Sequence, residues 1–248
     1  MSVVGPRLSV IVPAFNEESR LGPSLDGMRA FLESSGRPYE VLVVDDGSRD
    51  QTSALVLEAA ASWPQLRLIS LPENRGKGAA VRAGMLAAAG GRRLFTDADL
   101  STPLEELAKL ELELEAGAAV AIGSRALPGS RVLRHQPLHR ELMGKSYNRM
   151  LRLLVLPGLH DTQCGFKLFT AAAAEACFRE LECEGFGFDA EVLLRARMQG
   201  IPIAEVGVTW CNSLGTTVSS FADGGQMLID LWQLRRRRSA PRPLAERS

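Results

Sequence analysis

The chain has 248 residues, 46% of them hydrophobic, and carries 29 basic and 29 acidic side chains, so its formal net charge is zero. That is enough apolar material for one large α/β core, while the balanced charge gives no general attraction to nucleic acid. No stretch approaches about 18 uninterrupted apolar residues, so no membrane span is expected.

The elements follow in a regular order. "LSVIVPAF" (8–15) is a continuous apolar run closed by Pro13, as expected of a strand buried on both faces. In 16–36, Leu21, Leu25, Met28 and Leu32 recur at helical spacing. "YEVLVVDDGSRD" (39–50) predicts a second buried strand ending in acids and a Gly-Ser turn, and 51–63 a helix capped from the Ser48–Thr52 region. A third strand is expected over 66–71, a small-residue helix over 77–90 and a fourth strand over 92–99. A helix opened by Pro103 (103–117) and a fifth strand (118–125) complete the alternation. This pattern predicts an α/β fold, a mostly parallel doubly wound sheet with helices on both faces. Such sheets bind ligands at the carboxyl ends of their strands. Beyond 125 the pattern loosens into a Gly/Pro/Arg loop, a helix over 139–156, a second loop, helices over 171–181 and 189–200, and a strand over 201–210. Cys164, Cys177, Cys183 and Cys211 form no C-x-x-C pair and read as free thiols of a reducing compartment. The opening residues run into a strand without a basic region and apolar signal core.

"LFTDADLSTP" (94–103) leaves Asp97 and Asp99 one residue apart where an apolar run stops. Alternate strand residues share a face, roughly 6–7 Å apart. Two ionised carboxylates there call for a positive neighbour: a metal ion, an arginine, or only solvent. A dinucleotide fingerprint is excluded, because "PAFNEE" stands where G-x-G-x-x-G would follow the first strand. The "GKS" at 144–146 has His139 in place of a P-loop's first glycine and lies in a helical pattern.

"VPAFNEE", "VVDDGSRDQT", "ENRGKGAAVRAG", "FTDADLSTP", "IGSR", "DTQCGFKLF" and "GFGFDAEVLLRA" occur in this order over about residues 7–215. The set closely resembles the inverting family 2 glycosyltransferases, in the branch that glycosylates dolichyl and other polyprenyl phosphates. The resemblance implies a GT-A fold with an acceptor-side C-terminal lobe. It divides the domain 1–215 into a nucleotide-sugar-binding half (7–125) and an acceptor-side half (126–215), leaving 216–248 as an amphipathic helix and basic tail. It implies transfer of a hexose, glucose from UDP-glucose or else mannose from GDP-mannose, to a polyprenyl or dolichyl phosphate. A soluble or cell-surface hydroxyl acceptor is the alternative, with a nucleotide-sugar-binding protein or a nucleotidyltransferase further behind.

The site residues follow from the same likeness. Pro13, Ala14, Asn16, Glu17 and Asp46 match the nucleoside pocket, and Arg75 and Lys77 the phosphate ligands, with Gly76 and Gly78 permitting close backbone approach. Asp97, with Ala98, matches the position touching ribose or donor sugar, and Asp99 the residue that holds a divalent ion. Mg²⁺ or Mn²⁺ suits such an oxygen site. Arg125 and Arg131 match arginines that meet donor and acceptor phosphates, a task for a guanidinium fork. Asp161, Gln163 and Lys167 line the acceptor side, Lys167 as a phosphate ligand. Asp189 or Glu191 would serve as general base for a hydroxyl acceptor; a lipid phosphate, already anionic, needs none. Residues 142–158, with Lys145, Arg149 and Arg152, and 221–238, with Trp232 and four arginines, predict helices lying on a membrane surface. Each arginine adds on the order of 1 kcal/mol near an anionic leaflet. The expected location is cytoplasmic, peripheral at the cytoplasmic face of a membrane.

Overall fold

The computed structural model describes residues 5–134 and 138–212. The tail 216–248, with its predicted surface helix 221–238, lies outside the described residues. β1 (Leu8–Ala14), α1 (Leu21–Ser34), β2 (Tyr39–Asp45), α2 (Thr52–Ser62), β3 (Leu66–Ser70), α3 (Lys77–Ala87) and β4 (Arg92–Thr96) alternate as the pattern predicts. A 3-10 turn (Leu104–Glu106) opens α4 (Leu107–Glu115), which leads to β5 (Val120–Ser124). Then come β6 (Arg131–Arg134), α5 (Leu138–Leu154), β7 (Phe166–Thr170), α6 (Ala171–Phe178), α7 (Phe188–Met198), β8 (Ile203–Gly207) and β9 (Thr209–Cys211).

The main sheet has seven strands in the order β3-β2-β1-β4-β7-β5-β8, all parallel except β7. Alternation along each strand feeds two cores. Ile11, Leu42, Val44, Phe95, Val120 and Ile122 point to one face, where Val81 and Met85 of α3, Leu151 of α5 and Leu193 of α7 cover them. Val10, Val12, Val41, Val43 and Leu94 point to the other, under Leu21, Leu25, Met28 and Leu32 of α1, Val56 of α2 and Leu107 of α4. Each such side chain taken fully from water contributes roughly 1.5–3 kcal/mol, which is why the middle of β1, β2, β4 and β5 is apolar. β7 and β8, from the second half of the chain, complete the same sheet as the first half.

Two expectations are corrected, and one strand is unforeseen. The fourth strand ends at Thr96, three residues early, because Leu100 takes a left-handed backbone (φ 47°) and its amide closes on the Asp97 carbonyl at 3.1 Å. Asp97 and Asp99 therefore sit on a turn and do not share a strand face. The strand expected over 201–210 breaks at Val208, whose amide bonds Ser124 and whose carbonyl accepts from Arg131 (3.1 Å each). That hinge sends β8 into the main sheet and β9 to pair with β6 in a separate two-stranded sheet. Finally, "FKLFT" forms β7, an antiparallel strand inserted between β4 and β5.

Candidate active site

The strand order turns about β1, which lies between β2 and β4, and the crevice at the carboxyl ends of these strands is the expected ligand site. Because β7 runs the other way, its start lies at that same edge: Thr96 pairs with Phe166. Residues 161–165 are thereby delivered beside the acids of 97–99.

On the β1 side, Pro13 and Ala14 end the strand, and the Ala14 carbonyl accepts from the Asp46 amide at 2.9 Å. Asn16, at φ 52°, accepts the Arg49 amide and gives its own amide to Ser48, both at 2.9 Å. Glu17 pairs with Arg20 at 2.6 Å. Burial pushes the Glu17 carboxyl above its usual range against the pull of Arg20, and the charges of Asp99 and Asp97 add to the rise. Asp46 is buried, and its carboxylate accepts the Arg75 and Gly76 amides at 2.9 and 2.7 Å. Burial raises its pKa although both amides lower it. Asp46 thus anchors the 75–76 turn.

The glycines of "NRGKG" admit a different neighbour from the one expected. A Cβ on Gly76 (φ 108°) would stand 2.5 Å from the Glu184 carbonyl oxygen, and one on Gly78 would overlap the Cys183 carbonyl. Glu184 O accepts the Gly78 and Ala79 amides at 2.6 and 3.2 Å. Protein backbone, rather than phosphate, takes this approach. Arg75 is ion-paired to Glu184 with both side chains about half exposed.

Lys77 begins α3 and places Nζ 2.6 Å from Asp97 Oδ1 and 5.2 Å from the Phe95 ring. Burial would lower its pKa, but Asp97, Asp189 and Asp99 together raise it, so it stays a cation. The other face of the Asp97 carboxylate lies on Gly165, where a Cβ would overlap it. That close approach explains the glycine of "DTQCGFKLF". Asp99 Oδ1 accepts the Ser101 amide at 3.0 Å, and no described cation is within ion-pair reach of Asp99.

Arg125, just past β5, forms a two-point ion pair with Asp161 (Nε–Oδ2 2.7 Å, Nη2–Oδ1 3.0 Å) and lies 5.3 Å over the Trp210 ring. Burial works against both charges. Their mutual attraction still holds Asp161 down to about 2 and keeps Arg125 well above its ordinary value. Asn148 of α5 (3.2 Å) and Glu205 of β8, which takes the Asp161 amide at 2.7 Å, fix this corner from behind.

Deeper in, Lys167 is 1% exposed and donates to the Cys164 carbonyl at 2.6 Å and to Asp189. The expected presentation of Lys167 to an acceptor phosphate is therefore corrected: its ammonium is consumed inside the protein. Burial pushes the Asp189 carboxyl up, against the pull of Lys167 and Lys77. Glu191 faces away from the acids, accepting the Glu182 and Cys183 amides (3.2 and 2.8 Å) and Arg195 Nε (2.8 Å). Arg131 is exposed on β6 with no ion pair among the described residues. The structure thus gathers Glu17, Lys77, Asp97, Ala98, Asp99, Lys167 and Asp189, sets Arg125 beside them, and leaves Arg131 and Glu191 outside.

Sequence reasoning missed Asn148, Glu184, Phe186, Glu205 and Trp210. Glu205 had a signal, an acid in an otherwise apolar strand; Asn148 had none. Among the described residues no three metal-ligating side chains form a protein-only cage. A single carboxylate with one oxygen to spare still suits a hard cation that completes its shell with phosphate and water. No helix among the described residues is long and apolar enough to cross a membrane.

A seven-stranded sheet with acids, a lysine and an arginine at its switch-point crevice is the architecture of the GT-A fold. The model for "Glycosyl transferase family 2" matches residues 9–178, and the chain belongs to that family of enzymes. It is 40% identical over 240 residues to the dolichyl-phosphate beta-glucosyltransferase of Drosophila melanogaster, covering 92% of this chain and 74% of that one. The Homo sapiens protein of the same name is 38% identical over 244 residues (93% and 75% covered). Among solved structures, glucosyl-3-phosphoglycerate synthase from Mycobacterium tuberculosis, in complex with Mn²⁺, UDP-glucose and phosphoglyceric acid, superposes with a TM-score of 0.71. It covers 96% of this chain and 81% of that one at 18% identity, a likeness of fold.

Proposed function

We propose that the protein transfers glucose from UDP-glucose to dolichyl phosphate or a related polyprenyl phosphate, with inversion at the anomeric carbon. The observation that carries the phosphate acceptor is the engagement of both candidate bases. Asp189 is buried against Lys167, and Glu191 is spent on Arg195 and two backbone amides. A hydroxyl acceptor needs a carboxylate to take its proton, whereas a phosphate oxygen is already a nucleophile near neutral pH. That oxygen attacks C1 of glucose while the C1–O bond to the diphosphate breaks, and its electron pair leaves with UDP. The names of the relatives at 34–40% identity support the same pair of substrates.

In this reading Pro13 to Glu17 wall the nucleoside, Asp97 orients the donor sugar, and Arg125 offers Nη1, the guanidinium nitrogen that Asp161 does not use, to a phosphate. Asp99 would hold Mg²⁺ or Mn²⁺; such an ion, when bound, supplies neutralisation of the charge on the departing diphosphate, worth several kcal/mol of barrier. Lys77 turns from Asp97 toward the diphosphate when the donor enters. The lipid is reached from the outer side of α5, where Leu138, Leu142 and Leu153 are 79%, 63% and 70% exposed beside exposed Arg149 and Arg152. That composition fits peripheral contact with an anionic cytoplasmic leaflet.

The test incubates the protein with labelled UDP-glucose or GDP-mannose and a short polyprenyl phosphate, with and without Mn²⁺. Glucosyl phosphoryl polyprenol formed from UDP-glucose only with the metal is expected. Transfer to a hydroxyl acceptor instead, or turnover undiminished in excess chelator, overturns the reading.

A further inference from the structure

Phe186 is a large aromatic side chain left 39% exposed, and it is not exposed through slackness. The Glu184 carbonyl takes the Gly78 and Ala79 amides, Arg75 pairs with the Glu184 carboxylate, and Glu191 holds the Glu182 and Cys183 amides. On the other side, Phe188 is buried edge-on against Phe95 at 5.6 Å. The backbone is therefore pinned before and after a ring that still meets solvent. The ring centroid is 6.0 Å from Lys77 Nζ, the ammonium that is 2.6 Å from Asp97. An apolar face thus stands at the mouth of a charged crevice, where a ligand would have to cover it to recover its hydrophobic contribution.

We propose that Phe186 is the platform on which the hexose of the donor stacks, and so a specificity-determining residue for the sugar. This rests on the reading of the donor as UDP-glucose. A pyranose has a face of C–H bonds ringed by hydroxyls. An aromatic face flanked by a carboxylate and an ammonium matches both features at once. An isoprenoid chain, apolar all round, would cover the ring but also strip water from Asp97 and Lys77 without replacing the lost hydrogen bonds. The hexose is the better occupant.

The discriminating experiment measures binding of UDP-glucose and of UDP to the full chain with Mn²⁺ by calorimetry, for wild type, Phe186→Ala and Phe186→Trp. Phe186→Ala weakens UDP-glucose about tenfold while UDP, which has no hexose, keeps its affinity within about twofold; Phe186→Trp restores the UDP-glucose value. In turnover the donor KM rises and the acceptor KM does not. Equal losses for UDP and UDP-glucose, or no loss for either, overturn the proposal. So does a shift confined to the acceptor KM that grows with prenyl length, which would assign the ring to the lipid. A wild-type protein that ignores UDP-glucose but binds another sugar nucleotide overturns the donor assignment itself, an outcome read before any variant is made.

Discussion

Lys167 and Asp189 form an ion pair whose side chains are 1% and 6% exposed. Replacing Asp189 by Asn removes the countercharge and leaves a buried ammonium with neutral acceptors alone, the Cys164 carbonyl 2.6 Å away and the new amide oxygen. Removing one partner of a buried pair costs about 3–5 kcal/mol. The surviving carbonyl bond places this case near the lower end, about 3 kcal/mol. For a chain of this size each kcal/mol is worth roughly 2–4 °C, so thermal unfolding should start some 6–12 °C earlier. Replacing both partners, Lys167→Met with Asp189→Leu, removes the stranded charge and should recover most of that loss. The double variant then separates the two roles open to Asp189. If the acceptor is a phosphate, its initial rate at saturating donor stays within about tenfold of wild type, whereas loss of a general base costs 10²–10⁴-fold. A double variant as stable as wild type but slower by about a hundredfold or more would refute the phosphate-acceptor argument. An Asp189→Asn protein that melts with wild type would refute the account of the buried pair.

Asp99→Ala should abolish the stimulation of transfer by Mn²⁺ and leave the unfolding temperature unchanged, because its one described contact is the Ser101 amide; transfer that still rises with Mn²⁺ titration contradicts the assignment. Asp161, held at about 2 by Arg125 against an unfolded value near 3.9, stabilises the fold by about 2 kcal/mol above pH 4, and this is lost as pH falls through the folded value. The stability gap between wild type and Arg125→Met, measured by urea unfolding, should therefore narrow from pH 5 to pH 3, and a constant gap would show that the pair is not the cause.

The first half of the fold was legible because parallel strands buried on both faces are written as unbroken apolar runs. "LSVIVPA" and "EVLVV" are short, rich in valine and bounded by turn residues, which favours strand over helix, and Leu21, Leu25, Met28 and Leu32 name the buried side of α1. β7 was not legible. "FKLFT" is as apolar as its neighbours, but its lysine breaks the run, and only tertiary pairing with Asp189 permits that charge at 1% exposure. Strand ends failed for a related reason: Asp97 and Asp99 keep a strand-like alternation past the apolar run, and the turn that ends β4 closes at the left-handed Leu100, which no propensity foretells. At the site, the ordered motifs placed Lys77, Asp97, Asp99 and Arg125 on the correct edge, because those residues follow strands whose direction the alternation had settled. The partners were a different matter. Which carboxylate meets which cation depends on β7 running backwards, and that orientation brings Asp161 and Gly165 to Arg125 and Asp97.

The pairing has an electrostatic consequence. Around the crevice Glu17 meets Arg20, Asp97 meets Lys77, Asp161 meets Arg125 and Asp189 meets Lys167, each at hydrogen-bond distance. Asp99, like the amide-bound Asp46, has no described cation in ion-pair contact, and its charge helps to raise both Glu17 and Lys77. A pocket whose cations are already spoken for does not by itself draw in a diphosphate; like charges at a few ångströms in a partly dry site cost several kcal/mol. In the proposed function, a divalent cation held at Asp99 would reverse that balance, and Lys77 would be freed from Asp97 were the sugar hydroxyls to take over the carboxylate. Asp97 and Asp99 lie on the turn that closes at Leu100, so in that proposal the turn would couple the metal position to the sugar position. Moving Asp99 onto a regular strand face with Asp97 would bring the two acids into one environment and remove the separation on which their proposed roles depend.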